Sequence, residues 1–316
     1  MGRWVTIAKG SSGLTTRSDP VRVDEYDPRK VDQGIRPLVR CLNVAIDATG
    51  RIERRKGYSL SSSGSFRDLF SAGNTALCVK DDELCLLGPA LTTTALRSVT
   101  PGARMSYAAA RGRVFYSNGF ENGYVRHGMN FSWEPEPHDE RDVEEDTVFA
   151  GSVPLGHLLE WFNGRMLIGQ EEVVWYSERF YPGLYPLSRR HLHLTSRVRM
   201  IQRVSGGVWI SDEGGIYWLG GMDPASWDQD QKADYPAIEG AVVKVPGSRT
   251  GIEALYGRGL VPLFMTERGV CLAGPDGFFK NLTEERIEHD KTPWPFRAVA
   301  GSAALIGDQA VFTLEA

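Results

Sequence analysis

An all-β chain is what this sequence encodes, and three features say so. The apolar runs are short, four to seven residues each, rich in Val, Ile, Leu, Trp, Tyr and Phe. Such residues suit a pleated, half-buried surface. Windows with apolar residues at i, i+3, i+4 and i+7 over three turns are nearly absent, so long amphipathic helices are not expected. The 35 glycines and 17 prolines are spread along the chain and close the runs off from one another. Asn-Gly and Asp-Gly pairs among these breaks are hairpin signals, because a two-residue turn wants positive φ at its centre.

The runs pair up in order. Residues 75–79 turn at 80–83 into 84–87, and 105–110 turn at Arg111-Gly112 into 114–117. Residues 158–162 turn at Asn163-Gly164 into 166–169, with 173–177 following. Residues 200–204 turn at Ser205-Gly206 into 208–211, and Gly214-Gly215 leads into 216–219. Residues 260–266 turn into 270–273 and then 278–279, and 303–306 turn into 310–314. Arg111 to Ser117, Asn163 to Gly169 and Ser205 to Ser211 align as copies of one unit. Repeats of this length are those of propeller blades, roughly 40 to 50 residues each.

This reading gives a β-propeller of about six blades: 66–100, 101–150, 151–196, 197–248, 249–293 and a half unit, 294–316. A β-sandwich of hairpins is the alternative. The interval between the turns at Gly206 and Gly269 is long, which places an insertion near 221–248. Closing a propeller needs the first and last strands to pair, so the run 310–314 is expected to meet 38–46 or 51–60. Residues 1–36 are polar and lack a core stripe, and read as an extended N-terminal arm; 37–316 read as one propeller domain.

Composition limits function. Of the 316 residues, 41% are hydrophobic and 24% charged, which are globular values. The net charge of -4 gives no support to a general nucleic-acid binder. No apolar run approaches the roughly 18 residues of a spanning helix, and Met1 to Gly10 hold no signal-peptide core, so neither a membrane span nor a leader is expected. Cys41, Cys78, Cys85 and Cys271 lack C-x-x-C spacing and read as small buried hydrophobes.

No pattern demands catalysis. There is no G-x-S-x-G, no P-loop and no Rossmann fingerprint, and no cofactor is expected. His191 and His193 share a strand face and so meet one requirement of a metal site, but Arg189 and Arg190 beside them would repel a cation. Glu160, Glu172, Glu178, Asp212 and Glu213 are the carboxylates a glycosidase would draw on, although most fall at hairpin turns. Contact residues are easier to nominate. Arg36, Arg40, Arg51, Arg54, Arg55 and Lys56 belong to a stretch, 29–58, with eight basic residues and three acids. It reads either as a charge-blunted edge strand or as a contact to an acidic surface or DNA phosphates. The stretch 134–146 holds eight acids, including Glu136, Asp139, Glu140, Asp142, Glu144, Glu145 and Asp146, and reads as an exposed loop. Phe180, Tyr181 and Tyr185 sit with Pro182 and Pro186 in a loop and are candidates for an interface anchor or a sugar-stacking platform.

Three stretches together resemble a known group. Asn43, Asp47, Gly50, Ile52, Arg55 and Gly57 follow an opening pattern found in virion proteins of tailed bacteriophages. Val174-Trp175-Tyr176-Ser177-Glu178 with Pro182, and Ile210 to Gly221 with Asp223-Pro224, are similar to blade motifs of that group. The group contains tail-hub, nozzle and DNA-stabilisation propellers that close the end of a tail. The chain departs from the larger short-tail nozzle proteins in being compact. The resemblance implies a non-enzymatic virion part, made in the host cytoplasm, that forms a ring of six or twelve copies. It implies contacts with other tail proteins and a role in retaining or conducting DNA. A glycan- or receptor-binding propeller at the tail tip is the alternative.

Overall fold

The computed structural model describes residues 60, 62–136, 152–284, 300–306 and 309–315, with four short strands before them. Those four are β1 (Ser11–Leu14), β2 (Arg36–Leu38), β3 (Val44–Ile46) and β4 (Ile52–Arg54). β1 pairs with β2 in parallel, and β3 with β4 in antiparallel fashion. The remainder of the expected arm lies outside the described residues.

The body is a β-propeller of five blades. Blade one is β5 (Phe66–Ala72), β6 (Thr75–Lys80), β7 (Glu83–Leu87) and β8 (Thr93–Ser98). Blade two is β9 (Ser106–Ala110), β10 (Arg113–Ser117), β11 (Asn122–Arg126) and β12 (Met129–Phe131). Blade three is β13 (Leu158–Phe162), β14 (Arg165–Gln170), β15 (Val173–Tyr176) and β16 (His191–His193). Blade four is β17 (Met200–Val204), β18 (Gly207–Asp212), β19 (Gly215–Gly220) and β20 (Gln229–Ala233). Blade five is β21 (Ala237–Pro246), β22 (Leu260–Thr266), β23 (Gly269–Ala273) and β24 (Phe279–Asn281), and it continues past β21 into a hairpin of β25 (Ala300–Ile306) and β26 (Gln309–Glu315). The hairpins read from the sequence are present. Arg111-Gly112 and Asn163-Gly164 make their turns with positive φ at both residues (50° and 72°, 44° and 81°), as two-residue hairpins require.

Why the strands read as near-continuous apolar runs follows from the packing. A blade is covered on both faces, so alternate side chains enter different cores. In β18, Val208 and Ile210 join Phe162, Leu167 and Val174 of blade three. Trp209, between them, joins Phe264 and Cys271 of blade five. Blades two and three share Phe115, Met166 and Ile168, and blades one and two share Leu77, Val79, Val114 and Tyr116.

Three expectations are corrected. The half unit 294–316 is not a sixth blade: β25 joins β21 through one parallel bridge, Glu239 to Ala300, and Phe312 and Leu314 pack on Ile238, Ala241 and Met265. The stretch 221–248 is no insertion, because it supplies the outer strand β20 and the inner strand β21. The long interval arose because Gly206 follows an inner strand, whereas Gly269 follows a second strand; the equivalent connection in blade five is the excursion 247–259. Finally, among the described residues β26 pairs with β25 and not with an N-terminal strand. β26 follows β25 closely in sequence, so their pairing costs little loop entropy, whereas a partner some 260 residues away must close a long loop.

Candidate functional site

Antiparallel strands turn at alternate ends, so each blade sends two kinds of turn to opposite faces of the propeller. All five turns between second and third strands carry acids: Asp81 and Asp82, Glu121, Glu171 and Glu172, Glu213, and Glu267. The opposite face receives Arg111, Arg249 and Arg258 from first-to-second connections and Arg179, Arg189 and Arg190 from third-to-fourth connections. The same connections also carry Glu178, Asp223, Asp228, Glu253 and Asp276, so that face is of mixed sign, whereas acids predominate at the turns of the first. Some of this charge is neutralised within the chain: Arg197 pairs with Glu171 at 3.2 Å, Arg199 with Glu213 at 3.1 Å, and Arg258 with Asp276 at 3.4 Å.

The arginine-bearing face is built around the long loop of blade three, 177–190. Glu178 anchors it, with Arg190 at 2.6 Å and Arg165 at 3.5 Å. Arg165 also lies over the Tyr176 ring at 5.9 Å. The three loop aromatics part ways. Phe180 is 52% exposed beneath the Arg179 guanidinium, and Arg111 donates to its carbonyl. Tyr181 is half-buried. Tyr185 is a core residue, 1% exposed among Phe115, Met166 and Ile168, with its hydroxyl directed to the Met166 carbonyl at 3.4 Å. It therefore drops out as a surface anchor: its ring fills the space between blades two and three.

Two cavities lie along the axis among the described residues. One, of about 560 Å³, opens toward the acidic face and is lined by Arg67, Arg104, Tyr107, His157, Arg199 and Glu239 with residues of β25 and β26. His157 is buried there, its Nε2 donating to the Val198 carbonyl at 2.7 Å. Burial foremost holds its pKa below the usual histidine range. The second cavity, about 830 Å³, is crossed by Glu160, which accepts from Lys244 Nζ at 2.5 Å and lies 3.4 Å from Arg203 Nε. One carboxylate thus ties the inner strands of blades three, four and five.

The other sequence-nominated groups fall as follows. Asp212 is fully buried and accepts from the Thr195 hydroxyl and from the backbone N–H of Thr195, Gly214 and Gly215, capping its own turn. Glu172 and Glu213 are exposed. The His191 and His193 rings do share a face, 5.0 Å apart, yet no group of three or more metal-ligating side chains occurs among the described residues. Glu136 pairs with Arg113 of its own chain at 2.8 Å. Asp139, Glu140, Asp142, Glu144, Glu145 and Asp146 lie outside the described residues, as do Arg40, Arg51, Arg55 and Lys56; Arg36 and Arg54 are placed in β2 and β4 by backbone alone. Among the described residues no helix is long and apolar enough to cross a membrane. The axial groups Arg67, Arg104, Glu160 and Lys244 were not singled out as a site. No spacing signal joins them, since Glu160 and Lys244 are 84 residues apart.

No family model matches the chain, and no curated protein matches it. Solved structures similar to it are propellers. One is the extracellular domain of a protein described as a hybrid two component system from B. thetaiotaomicron, at 11% identity and a TM-score of 0.45. The match covers 73% of this chain and 29% of that one. YCF48 bound to D1 peptide matches at 15% identity over 75% of this chain and 71% of that chain, with a TM-score of 0.40. The WD40 propeller domain of Doa1 matches at 12% identity over 72% and 87%, with a TM-score of 0.37. At these identities the likeness concerns the fold alone.

Proposed function

We propose that the chain is a non-enzymatic structural component of a bacteriophage tail, in a hub, nozzle or head-to-tail or tail-tip position. It assembles as a ring of six or twelve copies, joins neighbouring tail proteins and helps to retain or conduct DNA. The observation that carries this reading is the opening motif from Asn43 to Gly57, standing directly before a compact propeller. The acids at all five second-to-third turns support it, because a face dominated by one sign suits contact with a complementary neighbour in an assembly. The test is the mass of the purified chain by light scattering, with and without residues 1–35. Six or twelve copies that fall to monomers without the arm are expected. A full-length chain that stays monomeric at every concentration and binds immobilised glycans overturns the reading.

That outcome would favour the second reading, a receptor- or glycan-binding propeller at the tail tip. Exposed Phe180 beside Tyr181 supports it. Phe180→Ala and Tyr181→Ala would then abolish binding while the fold stays intact.

A further inference from the structure

One long sheet edge is left uncovered. β26 is the last strand of the six-stranded sheet that continues from blade five, and among the described residues no strand pairs with its outer side. The connection from β25 to β26 has two residues, so the flanking pair Ile306 and Gln309 is hydrogen-bonded and the bonded pairs alternate from there. Ala310, Phe312 and Leu314 fall at the non-bonded positions. Their backbone N–H and C=O groups therefore point away from β25, along the free edge.

Exposed edges are normally kept short or blunted by charge. The outer strands of the blades follow that rule. β12, β16 and β24 have three residues each, β8 carries Arg97, and β20 carries Asp230 and Lys232. β26 does not follow it. It has seven residues, and its one charged residue, Glu315, stands last. The hairpin is also apolar toward solvent: Ile306 is 60% exposed and Leu305 36%, and Leu69 of β5, which lines a cavity with Leu305, is 65% exposed. An edge of this kind is a template for another strand.

The chain also holds a hairpin that belongs to no blade. β3 and β4 pair with each other and with no other strand among the described residues. A two-stranded sheet alone is marginal in water. Joined to β25 and β26 it would bring that hairpin to four strands, the number in each of blades one to four. β4 ends at Arg54 and β5 begins at Phe66, and the chain between them spans at most about 40 Å. That tether would let the hairpin reach its own β26, because Phe66 and Arg67 line one cavity with Val311 and Thr313. The single chain nonetheless leaves both sheets unmatched.

We propose that the free edge of β26 takes up the β3–β4 hairpin of a second copy of this chain by strand addition. The inference rests on the assembly reading and names its contact. Each copy then donates a hairpin from its N-terminal side and accepts one near its C-terminal end. Donor and acceptor are different surfaces, so the contact is head-to-tail, the kind that closes into a ring when the rotation allows.

The experiment is photo-cross-linking in the full chain, with Thr313→benzoylphenylalanine on the exposed part of β26. Unlabelled and 15N-labelled chains are mixed in equal amounts in urea, refolded together and irradiated, and the cross-linked peptides are mapped by mass. About half of the cross-links from position 313 to peptides within 42–58 are expected to join an unlabelled chain to a labelled one. Ala310→Pro removes one outward N–H and no bond to β25. It is expected to abolish these cross-links and to lower the mass by light scattering six- or twelvefold, to one chain, while Ala310→Ser behaves as wild type. Cross-links to 42–58 within one label alone mean that the hairpin covers its own chain's edge, and cross-links that miss 42–58 give the edge to another occupant; either result overturns the proposal. Rings of unchanged mass in Ala310→Pro overturn it and leave the assembly reading standing, whereas a wild type that is monomeric at every concentration removes both. Should Ala310→Pro fail to fold, Ala45→Pro in the donor strand β3 carries the comparison.

Discussion

Replacing Glu160 with Gln removes one charge and almost no volume from a carboxylate that three blades share. Its side chain is 11% exposed and faces Lys244 Nζ at 2.5 Å and Arg203 Nε at 3.4 Å, while the Arg203 backbone N–H donates to Oε2 at 3.3 Å. With an effective dielectric near 20, the two charge pairs are worth about 7 and 5 kcal/mol of gross attraction. Desolvation of the carboxylate and ammonium offsets most of the first. Arg203 is half exposed, so solvent screens most of the second. A net loss of about 2–3 kcal/mol is expected for Glu160→Gln. At about 2 °C per kcal/mol for a chain of this size, Tm falls by about 4–6 °C. Thermal unfolding followed by circular dichroism measures the fall. A double-mutant cycle with Lys244→Met isolates the pair and is expected to give about 1–2 kcal/mol of coupling, with less for Arg203→Met. A Tm within about 1 °C of wild type, or no coupling to Lys244, refutes the claim that this carboxylate clamps the inner strands.

Trp209 is fully buried, donates its indole N–H to the Gly274 carbonyl at 2.8 Å and packs on Trp218. Trp209→Phe is expected to cost about 2–4 kcal/mol, from the bared carbonyl and the vacated volume, read as a lower urea midpoint with unchanged slope. His157 has a folded pKa held down by burial, opposed by the Val198 carbonyl, Glu239 and Glu171 and reinforced by Arg197. The unfolded chain therefore binds a proton that the folded chain refuses, and stability falls as pH drops below about 6.5. His157→Gln, which keeps an N–H donor for Val198, flattens stability between pH 7 and pH 5; an unchanged slope counts against this. Burial raises the thiol pKa of Cys78, Cys85 and Cys271, the last to about 12. Iodoacetamide at pH 8 is expected to leave these three unmodified in the folded chain and to label them in urea, as peptide mass mapping would show.

The propeller was legible because its signal is local. Asn163-Gly164 and Arg111-Gly112 announce their hairpins, and the runs on either side are apolar because each blade is covered twice. Blade count was harder to read. A blade boundary has no residue signature of its own, so the turn at Gly269 passed for an inner-strand turn and β21 was assigned to an insertion. Tyr185 read as an exposed loop aromatic because loops favour the surface. Only the fold of 177–190 over the gap between two blades buries it. The axial groups were illegible for a different reason. Arg104 meets Gly301 of the C-terminal hairpin 197 residues away, and Arg67 lines the same cavity, so only the closing of the propeller brings them together.

That closing also bears on how a ring of these chains would handle DNA. The propeller's own axis is occupied by inner-strand side chains and by the hairpin of β25 and β26, which leaves cavities of about 560 and 830 Å³. A duplex whose major groove alone is about 12 Å wide has no room there. In an assembly that conducts DNA, the conduit is therefore the opening between copies, and the surface facing it is a rim or a face of each disc rather than the disc's centre. The two faces differ, with acids at all five second-to-third turns on one, and on the other arginines interspersed with Glu178, Asp223, Asp228, Glu253 and Asp276. Of the two, the arginine-bearing face would meet phosphates less unfavourably. Reversing Arg179 and Arg189 to Glu should then weaken binding of a short duplex and reduce its salt dependence, while Glu172→Lys and Glu267→Lys on the opposite face leave both unchanged or stronger. Equal effects from the two pairs would mean that neither face is the one turned toward the DNA.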